Sequence, residues 1–307
     1  MGKAERNRQQ RARESIAIQM AASRRAEARR RAFIAGGSIV AVLAIVVVFI
    51  VVKALNKPTT ATASSATSHV TTRVVRQVTS VPATTLDGVA AGPAYPAKGS
   101  VYPHAIQRIK PPGPTLTSGG KPQIVYVGAE YCPFCAAERW SLVVALSRFG
   151  TFSGLHFIHS SSTDTDPNTP TLSFYKTGYT SKYLVFSTTE AQTVTKAPLE
   201  PLTTLDKQLM AKYDVPPYVP SAQYNGSFPF VDFGNRYVID GASYDPALLA
   251  GLSWQQIGAA LANPNSTVAK AIDGAANHIT AAICKITNNQ PGNVCTSAGV
   301  SAASGSI

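Results

Sequence analysis

The sequence predicts an α/β fold, on three observations. A short apolar run, Ile124 to Gly128, is followed by a helical pattern over Pro133 to Phe149 and a second run, Leu155 to His159. Phe228 to Phe233 and Arg236 to Ile239 flank Gly234-Asn235 and read as a hairpin. Ser253, with Gln256 three residues on, opens another helix as a capping box. Strand–helix–strand, then hairpin, then helix is an α/β order.

Each element has a local reason. Ile124-Val125-Tyr126-Val127-Gly128 is short, apolar and β-prone, as a buried strand requires. The helix from Pro133 carries Trp140, Val143 and Val144 on one face and Leu142, Leu146 and Phe149 on another. A helix apolar on two faces packs between layers. Gly150 is expected to close it as a C′ residue. Ser160 to Pro170 is a polar loop, Lys182 to Ser187 a further strand, and Pro201 to Tyr213 a short amphipathic helix. The helix from Ser253 stops at Asn263-Pro264, and Ala275 to Ile286 is again helical in pattern.

The N-terminal part follows other rules. Residues 1–31 hold ten Lys/Arg and three Glu, so this tail carries +7 of the net charge of +12. High pI is therefore a property of the tail and does not imply that the main domain binds nucleic acid. No aromatic residue is interleaved among the arginines to stack on bases. Ala32 to Val52 has no charge, and at ~1.5 Å per residue it spans the ~30 Å of a bilayer core. A cleaved signal peptide is the rival reading, but its apolar run is usually ~7–15 residues. The expectation is an uncleaved signal anchor over 32–52. Excess positive charge before it puts 1–31 in the cytoplasm and the rest outside, as a single-pass cell-membrane protein. Residues 53–100 read as a Ser/Thr/Pro-rich linker, with Tyr102 to Pro114 lying along the domain surface. Residues 101–297 form the extracytoplasmic domain, and 298–307 a flexible tail.

Four cysteines follow the span, in a compartment where disulfides persist. Cys132-Pro133-Phe134-Cys135 falls where a strand ends and a helix starts. Pro133 suits the first helical position, which makes Cys132 the N-cap. Unpaired helix N–H groups and the helix dipole then favour its thiolate. Cys135, one turn on, can resolve a mixed disulfide. A structural disulfide is the bland alternative, and zinc would need two more suitably spaced ligands. Cys284 and Cys295 do not supply that spacing, so no metal and no cofactor are expected. These two are expected to pair with each other across the turn-rich Asn288 to Asn293, as a clamp or as a second redox pair.

Tyr131-Cys132-Pro133-Phe134-Cys135 at its strand-to-helix corner resembles the thioredoxin superfamily, over about Lys121 to Ala262. The resemblance implies a central mixed sheet flanked by helices, with an insertion within about Ser160 to Ser227. It also implies that Phe228 and Pro229 position substrate, with Pro229 cis and facing the dithiol. Thr171 to Phe186, Phe228 to Ala242 and the C-terminal cysteine pair are similar to an uncharacterised prokaryotic group, domain of unknown function 929.

The remaining candidates are bland. Glu130 and Glu138 read as surface carboxylates, with no buried acid matched to the dithiol. His156 and His159 point to opposite faces of a strand, and Asp164 and Asp166 lie in a solvated loop. No P-loop, nucleophile elbow or dinucleotide fingerprint is present. The expected function is membrane-anchored thiol–disulfide exchange through Cys132 and Cys135. Its partners would be cysteines of exported proteins or a membrane thiol or quinone redox partner. The other class is a non-catalytic adaptor or envelope scaffold with structural disulfides.

Overall fold

A computed structural model describes residues 71–93 and 106–307. The basic tail, the apolar span over 32–52 and residues 53–70 and 94–105 of the linker region and domain start lie outside the described residues. Among the described residues, no helix is long and apolar enough to cross a membrane.

The elements run α1 (71–79), α2 (Ala83–Val89), β1 (Ile106–Arg108), β2 (Thr117–Ser118), β3 (Lys121–Gly128) and α3 (Pro133–Leu146). β4 (Gly150–Ser153), β5 (His156–His159), β6 (Pro170–Ser173), β7 (Gly178–Ser181), β8 (Val185–Glu190) and α4 (Thr204–Tyr213) follow. The chain ends with β9 (Phe230–Phe233), β10 (Tyr237–Asp240), α5 (Trp254–Ala260), α6 (Thr267–Ile286), α7 (Gly292–Cys295) and α8 (Ala298–Ser304).

A central mixed sheet has β3 in its middle. β8 pairs with it in parallel and β9 antiparallel, β10 and β1 extend the β9 side, and β2 pairs with the start of β3. β3 is buried on both faces, as a central strand between helical layers must be. Ile124 and Tyr126 face a large core with α3 and α6, while Val125 and Val127 face a smaller one with Leu209, Met210 and Tyr213 of α4. Gly234 and Asn235, with φ of +62° and +55°, turn the β9–β10 hairpin.

Several expectations are corrected. The strand parallel to β3 is β8, not His156–His159, which pairs with β6 in a separate two-stranded sheet. The crossover from β3 to β8 runs through α3 and the four short strands β4 to β7. Gly150 starts β4 rather than capping α3, whose C-cap is Ser147. Tyr102 to Pro114 includes the edge strand β1, with Ile106 and Ile109 buried.

The linker reading fails over 71–93. Val74, Val78 and Leu86 are buried there, and Asn277 of α6 donates to Leu86 O (2.8 Å) and Ala90 O (2.7 Å) at the end of α2. Weak local signal is overridden by tertiary packing. The tail at 298–307 likewise holds α8, which buries Val300 and Ala303 and donates Gly299 N–H to Asp87 (2.8 Å).

Candidate active site

Register brings two distant segments together. β3 and β9 pair Val127 with Phe230, so the residues after β3 and before β9 meet at one sheet end. These are the turn into Cys132 and the Phe228-Pro229 pair. The Phe228–Pro229 bond is cis, and Cys132 Sγ–H donates to Phe228 O at 3.5 Å.

Cys132 is the N-cap of α3, with extended φ/ψ of −77° and 123°, and Pro133 stands in the first turn. Its sulfur accepts the Cys135 N–H at 3.4 Å. Hydrogen bonding from the Cys135 side chain lowers the Cys132 pKa first, against the opposing effect of burial. Backbone N–H groups of Cys135 and Phe134 and the Arg139 charge add to the lowering. Cys135 behaves oppositely. Burial, its hydrogen bond with Cys132 and the nearby Cys132 charge push it well above the usual thiol range. Cys132 retains 6% exposure and Cys135 none. Both are free thiols in this structure. One thiol with a lowered pKa and a trace of exposure beside one fully buried thiol with a raised pKa is an asymmetric pair.

The sequence reading missed the charges beneath the dithiol. Arg139, one turn beyond Cys135, is fully buried and forms a two-pronged ion pair with Glu190 at the end of β8. Nε meets Oε1 at 2.8 Å and Nη2 meets Oε2 at 2.7 Å. Nη2 also donates to Ala129 O (2.8 Å), tying the pair to the turn before Cys132. A lone Arg in the middle of an apolar helix is the signal that points to it.

Glu130 and Glu138 are buried, contrary to the surface reading. Glu130 accepts from Ser173 Oγ (2.7 Å). Glu138 Oε2 accepts Ser243 N–H (2.8 Å), and burial lifts its carboxyl to about 7. At the rim, Lys196 Nζ lies 4.8 Å over the Tyr131 ring and 3.0 Å from Asp164.

Cys284 and Cys295 form a disulfide with a Cα–Cα distance of 5.6 Å. Ser141 of α3 donates to Ile272 O of α6 (3.0 Å), and Arg148 beyond α3 donates to Asn277 (3.2 Å). The two helices therefore run side by side in the same direction. Cys284 lies past the far end of α3, whose 14 residues span about 21 Å. The two cysteine pairs sit at opposite ends of that helix.

A family model described as "Domain of unknown function (DUF929)" matches residues 109–285, more than half of the chain. The chain belongs to this family. The DUF929 region contains the dithiol, the Arg139–Glu190 pair and the Phe228-Pro229 turn, and stops just after Cys284. No curated protein and no solved structure matches the chain.

Proposed function

We propose that this protein is a membrane-anchored, extracytoplasmic thiol–disulfide oxidoreductase with a thioredoxin-like domain. The observation that carries the reading is the asymmetry of the Cys132–Cys135 pair at the N-terminus of α3, with Phe228 O 3.5 Å from Cys132 Sγ. Cys132 thiolate attacks a disulfide of the substrate. A Cys132–substrate disulfide forms, and the second substrate sulfur leaves as a thiolate. Cys135 then attacks Cys132 Sγ, closes the Cys132–Cys135 disulfide and releases the first substrate sulfur. Run backwards, the same steps oxidise a substrate dithiol. Phe228 offers its backbone carbonyl beside the reacting sulfur, where an extended substrate segment can pair.

The apolar run over 32–52 would hold the domain at the outer face of the cell membrane. Substrates would then be cysteines of exported proteins, or a membrane thiol or quinone partner. Trapping tests the reading. Cys135→Ser removes the resolving thiol, so mixed disulfides with partners should accumulate on Cys132. Cys132→Ser should trap none. Equal trapping by both variants, or by neither, would contradict the assignment of Cys132 as nucleophile.

A further inference from the structure

Tyr126 of β3 is wholly buried, its ring edge-on to Phe174 at 5.0 Å. Its phenol extends along the strand over Gly128, where a Cβ would collide with Oη. Glycine at 128 is what leaves room for the hydroxyl. Gly128 leads directly into Ala129, whose N–H donates to Cys135 Sγ, so the phenol and the Cys135 thiol share this end of β3. Tyr126 Oη has no conventional hydrogen-bond partner, and neither has the buried Arg139 Nη1, although Nε and Nη2 are engaged by Glu190 and Ala129. Ala129 N–H donates to Cys135 Sγ at 3.5 Å.

Buried donors without acceptors are destabilising and uncommon. A thiol is a weak acceptor, whereas a thiolate is a strong one. The group that would satisfy Tyr126 Oη is therefore the ionised form of the cysteine held at the same end of β3. We infer that Tyr126 Oη, the Ala129 N–H and the Arg139 guanidinium form a preformed hole for the Cys135 thiolate. Tyr126 is then a catalytic hydrogen-bond donor in the resolving step. This inference rests on the oxidoreductase reading and adds to it how a thiol as masked as Cys135 becomes a nucleophile.

In the resolving step Cys135 gives up its thiol proton, which ends on the departing substrate sulfur. Its electron pair forms the bond to Cys132 Sγ while the Cys132–substrate bond breaks. The substrate disulfide is the oxidant, and the Cys132–Cys135 dithiol is oxidised. Tyr126 keeps its own proton throughout, consistent with burial raising its pKa well above the usual phenol value. It supports the sulfur anion until the new bond has formed.

The test uses Tyr126→Phe in the full chain with oxidised glutathione as probe. Formation of the Cys132–glutathione disulfide and the melting temperature should be unchanged. Displacement of glutathione by Cys135 should slow by about tenfold or more, the scale of one lost hydrogen bond to a charge. The pH profile of that step should move to higher pH. In a Cys132→Ser background, adding Tyr126→Phe should likewise move the ultraviolet thiolate absorbance of Cys135 to higher pH. An unmoved Cys135 titration, or an unchanged resolving step, would overturn the hole. A wild-type protein inert to oxidised glutathione would instead overturn the oxidoreductase reading on which it rests.

Discussion

Single residues carry charge states that the sequence alone conceals. Glu138 looks like a solvent-facing carboxylate between apolar neighbours, yet it is fully buried beside Ser243, whose N–H it accepts. Burial lifts its pKa from the usual 4.5 to about 7. The folded state then holds a proton that the unfolded chain releases between those values. Stability therefore falls as pH rises from about 4.5 to about 7, by roughly 1.4 kcal/mol for each pH unit crossed. Glu138→Gln keeps the shape and removes the titration. Urea unfolding at about pH 5 and about pH 8 should show wild type losing roughly 2–3 kcal/mol more than the variant over that interval. Equal losses in the two proteins would show that Glu138 does not titrate on folding. Asp232, lifted to about 7, and Asp273, lifted to about 8, lie under the same rule and are present in both proteins.

At the scale of elements, local rules were legible where the reason is local. The N-cap at Cys132, the capping box at Ser253 and the Gly234-Asn235 turn each depend on a few adjacent residues. The parallel partner of β3 was not legible. Leu155 to His159 has the stronger apolar pattern, yet it is Val185–Glu190 that pairs in register with Gln123 to Gly128, which brings Glu190 to Arg139. Helices α1 and α2 were hidden by their Thr- and Val-rich composition and are fixed by Asn277 and the core beneath them. The Cys284–Cys295 disulfide closes an 11-residue separation between α6 and α7. A loop of that size is worth about 3 kcal/mol in the chain-entropy account. Replacing both by Ser should lower stability by about that amount, read by denaturant titration. The Cys132–Cys135 redox potential should stay unchanged, because the disulfide lies beyond the other end of α3. A shifted potential with unchanged stability would contradict the clamp and favour a relay.

For the whole molecule, two helical layers on one mixed sheet do two jobs. The helices bury β3 from both sides, and the β3–β9 register brings the strand-to-helix turn at Cys132 to the same sheet end as Phe228 and Pro229. The dithiol was legible in sequence because helix-capping chemistry marks it, and the Phe228-Pro229 pair only through the resemblance to thioredoxin-like proteins. The supporting cluster of Tyr126, Arg139 and Glu190 was not, since it exists only once β3, α3 and β8 are assembled. Cys132, with its pKa lowered, stands beside the fully buried Cys135, with its pKa raised, an asymmetry that the proposed exchange uses and a permanent cross-link does not need. The reduction potential of Cys132–Cys135, measured by equilibrating the full-length protein with glutathione or dithiothreitol buffers, tests this most directly. An exchange-active pair is expected between about −120 and −270 mV, whereas a potential below about −300 mV would mark a structural disulfide and contradict the account.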